Sequence, residues 1–377
     1  MADNIPSAVH PRLLQLIIFP TEKCNFRCTY CYESFEIGKM KRPVIDAVKR
    51  LIESRVERDT LDALTLSWFG GEPLLARDVM DEISSFANEF HERKAFSLSG
   101  DITTNGYLLD AATLSKLVKV RQSAFQISLD GYGAAHDATR RYASGKGTFD
   151  VIWRNLCAAH DSALQFSITL RCHLTRDNEA SMIELTDKIC ERFGGDSRFN
   201  IFFKPIENLG GPNAAQISTV EKTAARGRVA LMEAKLRAAG FSVNSVIEGP
   251  ESAGSSSSAT KVVLQPKESE VSSAGRNHRP FTGYICYAAK PNSLIIRADG
   301  SIGKCTVLLD DPRNKVGQLN TDGTVTIDSG LVSRVWMRGF VSRDEKELGC
   351  PAMNLPKLPK ESVVKLDALR SSAGVSV

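Results

Sequence analysis

Six times between residues 13 and 206 a short apolar run gives way to a polar loop and then to helical spacing, and this alternation restricts the fold more than any other feature. The runs are "LLQLIIFP" (13–20), "ALTLSWFGG" (63–71), "FSLSGDITTNG" (96–106), "SAFQISLDG" (123–131), "LQFSITLRCHL" (164–174) and "FNIFFKPI" (199–206). Between them lie amphipathic segments at 42–59 and 76–94, then "AATLSKLVKV", "TFDVIWRNLCAAHD" and "ASMIELTDKICERF". Strands of this apolar kind, each followed by a helix, belong to an α/β parallel sheet, either a barrel-like array or a doubly wound sheet. Both architectures bind ligands at the C-terminal ends of the strands.

Four chemically loaded segments fall at those ends. "CNFRCTYCY" places Cys24, Cys28 and Cys31 after the first strand, Gly70-Gly71-Glu72 follows the second, Thr104-Asn105-Gly106 the third, and Ser128-Leu129-Asp130-Gly131 closes the fourth. One mouth collecting all four reads as one active site. Nine cysteines, an odd number in two clusters plus three singles, make a poor disulfide framework. Thiolates suit zinc or an iron–sulfur cluster, and a [4Fe–4S] cluster held by three cysteines leaves its fourth iron open. Structural zinc usually takes paired C-x2-C knuckles, and no fourth local ligand is evident beside Cys31. The 48 basic and 44 acidic residues leave a net charge of +4, too slight to imply a nucleic-acid or membrane surface. Residues 1–20 lack the pattern of a signal peptide and no apolar run is long enough to span a bilayer, so a cytoplasmic protein is expected.

Beyond a helical segment at 218–240, residues 248–280 lose periodicity and become rich in Ser and Gly, as a flexible linker or insert does. "SLIIRADGSIGKCTVLL" (293–309) then reads as a hairpin turning at Asp299-Gly300, and "TVTID" (324–328) as a further strand. The expected organisation is a main unit at 1–215, a bridging helical segment at 216–247, the linker at 248–280, a small unit at 281–355 carrying Cys286, Cys305 and Cys350, and a tail at 356–377. Cys157, Cys172 and Cys190 read as small core residues, Trp68 and Phe69 as barrel packing, and His136-Asp137 as a helix cap.

With C-x3-C-x2-C after the first strand and Tyr30 before the last cysteine, the sequence resembles the radical S-adenosylmethionine (SAM) enzymes. Gly70-Gly71-Glu72-Pro73, "TTNGYLLD" (103–110) and "ISLDGYGAAHDATRRYASGKGTFD" (127–150) are similar to landmarks of the subgroup that modifies peptides and proteins. Cys286 and Cys305, with Gly300 between them, resemble the opening of the SPASM or twitch extension, although only Cys350 follows where a full extension has several more cysteines. The resemblance implies a partial (β/α)6 TIM-like barrel with a small hairpin-containing twitch/SPASM-like C-terminal domain.

It also implies SAM bound at a [4Fe–4S] cluster on Cys24, Cys28 and Cys31, and a single auxiliary [4Fe–4S] cluster on Cys286, Cys305 and Cys350. Gly70, Gly71 and Glu72 are implied to receive the SAM amino group, Arg140 with Ser128 its carboxylate, and Asn105 and Asp130 its ribose or adenine. The implied reaction is one-electron reduction of SAM to a 5′-deoxyadenosyl radical and hydrogen abstraction from a substrate. With no room for a peptide-recognition domain before the first strand, the expectation is a maturase that crosslinks a ribosomally made precursor peptide. The bond would be carbon–carbon, of cyclophane type, or a thioether, and the electrons would come from a flavodoxin or ferredoxin. An anaerobic sulfatase maturase making formylglycine is the alternative enzyme, lacking here its further extension cysteines. A non-catalytic metal-binding peptide scaffold is the alternative of another class.

Overall fold

A computed structural model describes residues 9–58, 61–210, 215, 217, 219–243 and 284–355. The expected linker and tail lie outside the described residues. Six parallel strands, β1 (Leu13–Ile18), β3 (Ala63–Trp68), β4 (Ser97–Thr104), β5 (Gln122–Leu129), β7 (Ser167–Leu174) and β8 (Phe199–Pro205), stand side by side in that order. They alternate with α1 (Arg42–Arg58), α2 (Arg77–Arg93), α3 (Ala111–Lys119), the short α4 (Ala134–Thr139), α5 (Phe149–His160) and α6 (Glu179–Phe193). A further helix, α7 (Lys222–Ala238), follows β8. This is a parallel α/β sheet, as the alternation of apolar runs and amphipathic segments implied, and of the two arrangements that alternation left open it is the partial barrel that the resemblance implied.

The strands form because their side chains are buried on two faces. In β4 burial alternates strictly, so Leu98 and Ile102 face one side, while Ser99 and Asp101 face the other. The second side carries a polar ladder: Gln15 donates to Ser67 Oγ at 3.0 Å, Ser67 donates to Asp101 at 2.6 Å, and Thr65 and Ser99 hydrogen-bond at 3.2 Å. Trp68 is fully buried and its indole donates to Gln122 at 2.8 Å, in keeping with a packing role. Cys172 is likewise buried in the core.

The expected C-terminal hairpin is present, and it does not stand apart. Strands β9 (Ser293–Ile296), β10 (Ser301–Gly303), β11 (Gly317–Leu319) and β12 (Val325–Ile327) continue the main sheet, with β9 parallel to β1. The pair of buried Glu22 and half-buried Arg297 fastens this junction, Arg297 donating to both carboxylate oxygens at 2.9 and 2.6 Å. A separate two-stranded sheet, β2 (Phe26–Cys28) with β6 (Arg140–Tyr142), lies over the C-terminal end of the barrel. Periodicity gave no sign of it, since three-residue strands are too short to show one. No helix among the described residues is long and apolar enough to cross a membrane.

Candidate active site

The cysteine loop is built by pairing with a distant segment. Antiparallel registry sets Cys28 opposite Arg140, Thr29 N–H donates to the Thr139 carbonyl at 2.9 Å, and Ala143 N–H to the Asn25 carbonyl at 2.7 Å. Cys24, Cys28 and Cys31 thereby line a single cleft at the C-terminal ends of the strands. Burial pushes all three thiols up, Cys31 to about 12. Glu72 adds to the effect at Cys24, whereas the guanidinium of Arg140 opposes it at Cys28. Buried thiols of this kind become thiolates when a metal supplies the compensating charge. Among the described residues no three Cys, His, Asp or Glu side chains form a group able to hold one metal ion. A polynuclear cluster sets its ligands farther apart than a single ion does, so three thiols spaced around one cleft remain suited to it.

Gly70, Gly71, Asn105, Ser128 and Arg140 line the same cleft, but Glu72 and Asp130 do not. Glu72 is wholly buried and spent on the protein: Oε1 accepts from Leu74 N–H at 3.0 Å and Thr104 Oγ1 at 2.7 Å, and Oε2 from Asn105 N–H at 2.7 Å. It ties the double-glycine turn to the end of β4. Asp130 accepts from Tyr30 at 3.0 Å and Thr139 at 2.7 Å and pairs with His173 at 3.0 Å. Burial works against its charge, yet the hydrogen bond and field of His173 and the field of Arg140 hold the carboxyl well below the usual range.

The glycines serve a purpose the sequence did not reveal. A Cβ on Gly70, whose φ is +106°, would strike the carbonyl of Thr21, and one on Gly71 would sit 2.6 Å from the Lys23 carbonyl oxygen. The close approach is therefore to the loop that runs from β1 to Cys24. Asn105 is engaged similarly. Its Oδ1 accepts from Tyr107 N–H at 3.0 Å, which turns its Nδ2 toward Asn25 Oδ1 at 2.8 Å.

Arg140 is buried, lies over the Phe26 ring at 5.9 Å and donates from Nη1 to Tyr30 at 2.7 Å, leaving Nε without a partner. Three further residues line the cleft beyond the site residues expected from the sequence. Arg171, on β7, also has an unpartnered buried Nε; Glu33 has an unpartnered Oε2; and Phe69, expected only to pack, forms part of the wall while tilted against Phe19 at 5.4 Å. Burial, the like charge of Glu22 and that of Glu72 push the Glu33 carboxyl up to about 8, against the pull of Arg297. Nothing local in the chain marks Arg171; its place in the fifth strand of the barrel was the available signal. His136 accepts from Asp130 N–H at 3.3 Å, and Asp137 accepts from Thr148 and Phe149 N–H at 2.7 and 3.0 Å, capping α5 as expected.

In the C-terminal part, Cys286, Cys305 and Cys350 lie within one another's electrostatic reach, and burial pushes the Cys286 thiol up to about 11. Asn314 clamps the Cys305 backbone, accepting from its N–H at 2.8 Å and donating to its carbonyl at 2.7 Å. Hydrogen bonds link the segments that carry the two cysteine sets: Tyr32, beside Cys31, donates to the Thr306 carbonyl at 3.2 Å, and Thr306 shares a 2.7 Å hydrogen bond with Tyr287, beside Cys286.

Residues 18–189 match the family model of the Radical SAM superfamily. The cysteine-type anaerobic sulfatase-maturating enzyme of Clostridium novyi (strain NT) is 28% identical over 210 residues, 53% of each chain. The Fe-coproporphyrin III synthase of Methanosarcina barkeri (strain Fusaro / DSM 804) is 26% identical over 172 residues, 45% of this chain and 39% of that protein. The chain thus spans about half the length, or less, of these curated relatives. Among solved structures, native anSMEcpe with bound AdoMet and Cp18Cys peptide aligns with a TM-score of 0.58 at 19% identity, covering 87% of this chain and 82% of that one. Streptococcus suis SuiB aligns with a TM-score of 0.57 at 17% identity, covering 90% and 70%.

Proposed function

We propose that the chain, whose residues 18–189 match the Radical SAM superfamily, is an enzyme of that kind and a maturase acting on a ribosomally made precursor peptide. The observation that carries this reading is the convergence of three partly buried thiols, a double-glycine turn and two guanidinium groups with unpartnered Nε atoms on one cleft. Such a donor set fits a [4Fe–4S] cluster on Cys24, Cys28 and Cys31 with SAM beside it. When bound, that pair supplies one-electron chemistry able to remove hydrogen from carbon.

The protein's own part is to hold and orient. Pairing of β2 with β6 fixes Cys28, and the Glu72 and Asn105 braces fix the turn and the loop on either side of the cysteines. Arg140 and Arg171 offer guanidinium groups to a carboxylate. Since Nη1 of Arg140 is already committed to Tyr30, Arg171 is the freer fork. Phe26, Phe69, Ile206 and Leu209 give the cleft apolar walls that keep water from reacting atoms, and the Lys204–Glu207 pair, at 3.1 Å, lines it too. Cys286, Cys305 and Cys350 are read as ligands of one auxiliary [4Fe–4S] cluster, and a flavodoxin or ferredoxin as the electron donor.

Crosslinking of the precursor through a carbon–carbon or thioether bond is the preferred outcome. Formylglycine formation is the second reading, favoured by the similarity to the Clostridium novyi enzyme. Anaerobic reconstitution tests the class: about four irons per cluster and release of 5′-deoxyadenosine on reduction with SAM support it, and replacement of Cys24, Cys28 or Cys31 by Ala should abolish that release. Zinc alone with no cleavage of SAM would overturn it. Mass spectrometry separates the two products, a crosslink losing two hydrogens from the peptide and formylglycine replacing a cysteine thiol by an aldehyde.

A further inference from the structure

A lysine is buried beside the second set of cysteines. Lys304, between the end of β10 and Cys305, is 2% exposed, and its Nζ donates to the carbonyls of Lys290 and Ser293, each at 2.6 Å. Its side chain thus runs from the segment that carries Cys305 back to the turn that follows Cys286. The backbone there is fixed independently: Asn314 Oδ1 accepts from Lys304 N–H and Cys305 N–H at 2.9 and 2.8 Å, and Cys286 N–H donates to the Leu348 carbonyl at 2.9 Å. A neutral amide could serve two carbonyls as well, so hydrogen bonding alone does not account for a charge taken out of water.

The surroundings of Lys304 do account for it. A buried ammonium persists in a fold where an anion compensates it. Among the described residues the one charge acting on Lys304 is that of Cys286, and the same holds for half-buried Lys290. Carboxylates therefore supply the counter-charge at neither lysine, whereas thiolates on a metal cluster would supply it at both. Three thiolates outweigh the charge of an oxidised [4Fe–4S] core by one, and gain of an electron doubles that excess, so a nearby cation favours the reduced form.

We propose that Lys304 is a fixed positive charge built against the cluster of Cys286, Cys305 and Cys350, where it raises that cluster's affinity for an electron, with Lys290 adding a weaker charge. The assignment rests on the reading of these cysteines as ligands of an auxiliary cluster. Lys304 acts through its field and is a positioning residue, its Nζ being held by the two carbonyls.

The test is a redox titration of the full chain carrying C24A, C28A and C31A, so that only the second set remains to hold a cluster. The protein is reconstituted with iron and sulfide, reduced stepwise with dithionite at one fixed pH, and followed by electron paramagnetic resonance. At the midpoint potential of this parent protein, the ratio of reduced to oxidised cluster should fall about tenfold in K304Q, and by less in K290Q. K304R, which keeps the charge, should stay within about twofold of the parent. Equal shifts in K304Q and K304R would mark Lys304 as a packing residue and overturn the proposal, as would ratios unchanged in both K304Q and K290Q. Where the Lys304 variants fail to load iron, K290Q decides, and an unchanged ratio there overturns the proposal. A parent protein that binds no iron would instead overturn the auxiliary-cluster reading beneath it. Iron content and urea midpoint of each variant, matched to the parent, separate a change of potential from a loss of folding.

Discussion

Replacing Glu72 should damage the architecture around the cysteine loop before it affects any ligand. The carboxylate is 0% exposed and takes Leu74 N–H, Thr104 Oγ–H and Asn105 N–H at 3.0, 2.7 and 2.7 Å. In E72A these three donors lose their acceptor where water is excluded, at about 1–3 kcal/mol each. Release of a carboxyl that is itself costly to bury offsets part of this, so a net loss of about 3–5 kcal/mol is expected. E72Q keeps an oxygen for Leu74 and Thr104 but turns an amide N–H toward the Asn105 N–H, a loss of about 1–3 kcal/mol. Because burial, the largest influence, raises the affinity of this carboxyl for a proton against its hydrogen bonds, the charge removed by E72Q matters less than the misdirected donor. Urea unfolding of the metal-free, reduced proteins measures this as midpoints ordered wild type, E72Q, E72A at constant slope. An E72A protein within about 0.5 kcal/mol of wild type would refute the brace, and so would equal losses in the two variants.

Gly71→Ala forces a methyl to 2.6 Å from the Lys23 carbonyl oxygen and 2.7 Å from that of Glu22, so a loss of about 1–3 kcal/mol and poor iron loading are expected in thermal melts and iron assays. Cys350→Ala should lower the bound iron by one cluster's worth while SAM cleavage persists; unchanged iron would remove the auxiliary cluster from the proposal. Asp196 is held down to about 2, chiefly by the hydrogen bonds of Arg198, with His160 also 2.9 Å away. Its folded value is depressed, so the stability it contributes is complete above about pH 4 and lost as pH falls through about 2. D196N should cost about 1–2 kcal/mol near pH 6, after allowance for solvent screening, and progressively less as pH falls toward and below about 2, as followed by urea titration across pH.

The parallel strands were legible because each is a short segment of alternating or continuous apolar residues that ends in turn residues, and the helices between them because their apolar positions recur at helical spacing. The C-terminal strands were legible around Asp299-Gly300 for the same kind of local reason. That they would extend the main sheet beside β1 was not, since strand order is a long-range property with no local trace. The candidate site divides along the same line. Cys24, Cys28 and Cys31 declare themselves by spacing and residue type, and the strand-end rule places them in the cleft.

What the amino-acid sequence determined by itself is thus the list of chemically capable groups and the end of the barrel where they gather. Which of them remain unpartnered at the cleft was decided only in three dimensions. Glu72 and Asp130 look available in the chain, yet the first is consumed by donors from the turn after β3 and the end of β4, and the second by Tyr30, Thr139 and His173. Glu33 and Arg171 look ordinary, yet the folded chain brings no partner to Glu33 Oε2 or Arg171 Nε. A side chain's chemistry is local, but whether that chemistry is already spent depends on which distant segments fold against it.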